Sequence, residues 1–156
     1  MLHASRTTEV RLARWEEIDC DRRIWTIPAS RMKWRKVHQV PLSSEAMVVL
    51  EQCAERRQSD YVFPGLGADQ GLSNGAFLSI LKKQFPEVEA VPHGMRSTFR
   101  DWAEEQGCYT HFAIETCLAH SVKNAVEKAY LRTTVMTMRR EMLEAWANYL
   151  LSDADG

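Results

Sequence analysis

Residues 22–42 constrain the fold most. RRIWTIPA at 22–29 alternates Ile24 and Thr26 against Trp25 and Ile27, the period of a β-strand, and VHQVPL at 37–42 reads as a second strand. The basic turn SRMKWRK lies between them, so the spacing predicts a β-hairpin with its tip in solvent. A hairpin alone buries too little apolar surface to stand in water, so the rest of the chain must cover it.

The remaining segments carry helical periodicity. TTEVRLAR at 7–14 reads as a short helix. Ser43 and Ser44 are good N-cap residues, and after them Ala46, Val49, Leu50 and Cys53 fall on one helical face. FPGLGADQG at 63–71 breaks the chain, and a further helix is expected from about Ser73 to Phe85. HGMRSTFRDWAEEQG at 93–107, bounded by Pro92 and Gly107, puts Met95, Phe99 and Trp102 on one face and His93, Arg96 and Arg100 on another. Spacing alone allows that cationic stripe to hold an anion or simply to face solvent. HFAIETCLA reads as a helix that ends just before His120. Met138, Met142, Ala145, Trp146, Tyr149 and Leu150 form the stripe of an amphipathic C-terminal helix. This order predicts a mostly helical α+β domain with a small antiparallel sheet.

At 156 residues, 45% apolar and 26% charged, the chain suits one core without disulfide staples. No apolar run reaches the length of a membrane span, and MLHASRTTEV turns polar too soon for a signal peptide, so a cytoplasmic setting is expected. Cys20, Cys53, Cys108 and Cys117 lack the spacing of a disulfide framework and read as thiols. Cys108, His111, Cys117 and His120 make two C-x-x-H pairs, but only five residues separate them, too few for the usual zinc finger. The net charge of −1 does not by itself suggest a polyanion partner. Its distribution does: residues 1–43 hold nine Lys/Arg against five Asp/Glu, and 93–140 hold seven against five.

Taken singly, Arg6 in SRTTEV, Lys33 in the turn, His120 and Tyr130 each have an ordinary structural explanation. Their order is more specific. Arg6 in R-x-x-E, Lys33 in a hairpin, His93 and Arg96 in HGMR, His120 in LAH and Tyr130 ten residues later resemble the tyrosine recombinase (phage integrase) family. The likeness extends through IPASRMKWRKVHQVPLS, YVFPG, VPHGMRSTFRDWA and AYLR, and is nearest to integrases of satellite phages and genomic islands.

The resemblance implies a DNA strand transferase that needs no nucleotide or metal cofactor. Tyr130 would be the nucleophile and His93 the acceptor of its proton. Arg6 and Arg96 would bind the phosphate, His120 would add a hydrogen bond, and Lys33 would be the general acid. Glu9 would support an arginine. Arg31, Arg35, Lys36, Arg100 and Arg132 would contact DNA. The implied partners are duplex attachment sites and, in the full-length protein, three further copies in a tetramer on DNA. The isolated chain is expected to be a monomer, with neither a membrane nor a small molecule involved. Residues 1–135 would be a catalytic domain shortened at its N-terminus, and 136–156 a C-terminal helix with an acidic tail. Two other readings share the pattern: a remnant that binds DNA without cleaving it, and a type IB topoisomerase.

Overall fold

The computed structural model describes residues 2–67, 69–87, 89, 91, 94–120 and 132–152. The expected hairpin forms, with β2 (Ile24–Ile27) antiparallel to β3 (His38–Pro41) in the register Ile24↔Pro41 and Ile27↔His38. A two-residue strand, β1 (Ile18–Asp19), which the sequence did not announce, pairs with the other edge of β2 and gives the order β1-β2-β3. Alternation in β2 does not divide a wet face from a dry one, because Ile24, Trp25 and Ile27 are all buried. On one side the His3 ring meets Trp25 edge to face at 6.5 Å.

Helix α1 (Thr7–Arg11) is shorter than its pattern, and a single-turn 3-10 helix at Trp15–Glu17 leads from it into the sheet. Ser43 caps α2 (Ser44–Glu55), its Oγ accepting from the Ala46 amide at 3.3 Å. Helix α3 (Ala76–Gln84) begins after Gly75, inside the expected span, and leaves Leu78 and Ile80 exposed. Helix α4 (Gly94–Glu105) buries Phe99 and Trp102 as expected, and Gly107 supplies the left-handed residue just beyond its end. Helix α5 (His111–Cys117) starts on the Thr110 cap, where Oγ1 accepts from the Ala113 amide at 3.2 Å.

The last helix, α6 (Arg132–Ser152), closes the core and runs unbroken across residues 135 and 136. Its Met142, Leu143, Trp146 and Ala147 are buried, and it packs against β3, α2, α4 and α5 of its own chain. Trp146 sits 5.1 Å from Trp102 and 5.6 Å edge-on from Phe99, centroid to centroid. Two hydrogen bonds fix the helix across 100 residues of sequence: Arg139 Nη2 donates to the Gln39 carbonyl at 2.7 Å, and the Ser44 amide donates to Glu144 at 2.9 Å.

Candidate active site

Arg6 is the N-cap of α1, where the helix dipole disfavours a cation, so its position depends on a specific partner. Glu9, three residues on and 3% exposed, supplies it. One carboxylate oxygen accepts the Arg6 amide at 2.7 Å and the other accepts Arg6 Nη1 at 2.7 Å. The backbone and guanidinium of Arg6 are thus held by one buried acid, the supporting role expected of Glu9.

Arg96 is not on a solvated face. It is 6% exposed, with Nη1 donating to the Ala4 carbonyl and Nη2 to the Leu118 carbonyl at 2.7 Å. Burial first, and then the neighbouring Arg6 charge, push its guanidinium below the ordinary arginine range. The Glu9 and Glu115 carboxylates act on the same guanidinium in the opposite sense.

The carbonyl that holds Arg96 also begins the turn that carries His120. Leu118 caps α5, Ala119 is left-handed at φ 51°, the Ala119 amide donates to Thr116 O at 3.1 Å and the His120 amide to Glu115 O at 3.0 Å. This is a Schellman stop with alanine where glycine is usual. His120 Nδ1 lies 2.8 Å from Glu115 Oε2. An ionised carboxylate only accepts, so Nδ1 is the donor of this pair.

Lys33 stands apart from this cluster, exposed at the hairpin tip, with Nζ 5.6 Å from the centroid of the Trp34 ring. Arg35 and Lys36 are exposed beside it. Arg31 has internal partners instead: Nη2 pairs with Glu17, and Nη1 donates to the Glu9 carbonyl at 3.1 Å, tying the hairpin root to the helix of Arg6. Arg100 likewise bridges α4 and α5 through Glu104 at 3.2 Å and Glu115 at 3.3 Å. His93 and Tyr130 lie outside the described residues, as does the Arg132 side chain. The two C-x-x-H pairs do not converge, and among the described residues no group of His, Cys, Asp or Glu could hold a metal ion.

Three residues at the site had no signal in the sequence. Glu115 orients His120 from the same helix. Glu17 is a hub whose Oε2 accepts from Arg31, from Trp25 Nε1 at 3.0 Å and from the Arg14 amide at 3.2 Å. His38 on β3 is held neutral, its pKa lowered to about 3 by burial and then by Arg139, Arg6 and Arg96. Only the fold brings these partners together.

The small antiparallel sheet on a mostly helical body agrees with the fold that the resemblance implied, and the chain belongs to the phage integrase family. The model of that family, described as "Phage integrase family", matches residues 1–136. The chain is 35% identical to the integrase of Enterobacteria phage P4 over 93% of its length. It is 38% identical to prophage integrase IntZ of Escherichia coli K12 over 95% of its length, and 35% identical to prophage integrase IntA of the same strain over 99%. It spans 37%, 37% and 38% of those three proteins.

Proposed function

We propose that the chain is the catalytic domain of a site-specific DNA recombinase that integrates or excises a prophage or genomic island. The observation that carries this reading is that both arginines are fixed, Arg6 by Glu9 and Arg96 buried on two carbonyls, in a chain of the phage integrase family. Guanidinium groups fixed in this way match the charge that builds on a phosphodiester under attack.

The chemistry assigns one task to each group. The Tyr130 oxygen attacks phosphorus, forming a 3′-phosphotyrosine bond as the P–O5′ bond breaks, and His93 takes the phenolic proton. A phenol's ordinary pKa near 10 makes both that base and the positive field useful. Lys33 protonates the departing 5′ oxygen. His120, held by Glu115 through Nδ1, adds a hydrogen bond to the phosphate, donating through Nε2 as an imidazolium in which both ring nitrogens are donors. The phosphoryl bond is conserved in the adduct, so a 5′-hydroxyl of another strand can reverse the step. Strand exchange then takes four copies on two duplexes. Arg35 and Lys36 serve as backbone contacts, and Arg31 and Arg100 act through the elements they brace.

A nicked suicide substrate carrying a candidate attachment sequence tests this reading. A covalent adduct on a denaturing gel is expected with the full-length parent in EDTA, and none with its Tyr130→Phe variant. DNA binding without an adduct would instead identify a non-catalytic DNA-binding module. Supercoil relaxation without a second duplex would point to a topoisomerase.

A further inference from the structure

The hairpin tip displays an indole. Of the five tryptophans, Trp25, Trp102 and Trp146 are buried and Trp15 is half-buried, whereas Trp34 is 52% exposed. Leaving so large an apolar ring in water forgoes its burial energy, and Val37, 61% exposed, adds further apolar surface three residues on in the same loop.

The tip is built rather than loose. Met32 is buried and Arg31 is paired with Glu17, so the root is anchored. The Arg35 amide donates to the Met32 carbonyl at 3.0 Å, closing a turn with Lys33 and Trp34 at its two corners. Arg35 follows in the left-handed region at φ 51°. The Lys33 ammonium and the Trp34 ring therefore leave the same turn as a cation–π pair. Charge points to the occupant: residues 22–44 contain six Lys/Arg and no Asp or Glu. A flat amphipathic ring in an all-cationic loop matches a polyanion that also offers apolar surface, such as the sugar and base edges of a DNA groove.

We propose that Trp34 is a DNA contact, its ring laid against the groove wall while Lys33, Arg35 and Lys36 meet the phosphates. This rests on the recombinase reading and adds to it a contact that is apolar and sequence-independent.

The test titrates the chain with a mixed-sequence duplex at low salt and follows acrylamide quenching of tryptophan fluorescence. The readily quenched emission is expected to be protected on binding, and Trp34→Ala to lack that component from the start. Trp34→Ala should weaken binding by about tenfold without altering the slope of log affinity against log salt, since an apolar contact releases no counterions. Lys36→Ala should reduce that slope by about one, and Trp34→Phe should recover most of the lost affinity. A complex in which Trp34 stays quenchable, wild-type affinity in Trp34→Ala, or a changed salt slope in that variant overturns the inference and leaves the recombinase reading standing. Failure of the wild-type chain to bind the duplex under these conditions also overturns the inference, while the recombinase reading is decided by adduct formation in the full-length parent.

Discussion

Glu9 and Glu115 each determine what a basic side chain at the site can do. Glu9 holds Arg6 by its amide and its guanidinium, and Glu115 fixes the His120 ring through Nδ1. Glu115→Gln keeps the shape but lets the amide flip and removes the negative charge beside the His120 ring. Adduct formation by the full-length parent carrying this change is expected to slow by about tenfold, with DNA affinity nearly unchanged, as single-turnover kinetics beside a binding titration would show. The sequence singles out the basic residues because their order is distinctive. It revealed Glu9 through R-x-x-E, but not Glu115, because a glutamate five residues before a histidine resembles any other on a helix surface. His38 was hidden for the same reason, as its surroundings come from α1, α4, α5 and α6.

Among the elements, the end of α5 does the most to place the site. Its last carbonyls and left-handed Ala119 set both Arg96 and His120. Alanine there carries a steric penalty that glycine avoids, partly offset by the greater freedom of glycine in the unfolded chain. Ala119→Gly is therefore expected to raise stability by about 0.5 kcal/mol, measurable as a higher urea midpoint with an unchanged m-value. Helix periodicity and caps were legible: Ser43, Phe99, Trp102 and Gly107 all act as their positions in the sequence suggest. The two-residue β1 was not legible, since its pairing with Ile24 and Trp25 depends on tertiary contact rather than on any local pattern. The cationic stripe of α4 divided in a way that periodicity could not resolve, with Arg96 turned into the protein and Arg100 onto Glu104 and Glu115.

The whole molecule is expected to lose stability in acid through two half-buried histidines. His38 and His3 are both lowered to about 3, against about 6.5 in the unfolded chain. Between those values the unfolded state binds more protons, so stability is complete above about pH 6.5 and falls as pH drops toward 3, by up to about 1.4 kcal/mol per unit for each histidine. Urea midpoints by circular dichroism should fall between about pH 7.5 and about pH 5, and His38→Gln should flatten the curve by about one proton. The α+β class was legible because the hairpin and the helical stripes are separate signals. The cis packing of α6 was not, because an amphipathic stripe does not say whose core it enters. That packing bears on how the protein is made. β3 and α2 precede α6 by more than seventy residues, yet Arg139, Glu144 and Trp146 complete their surroundings. A nascent chain emerging from the ribosome therefore holds an unfinished core until α6 is synthesised, and the surroundings of β3 and α2 close only then.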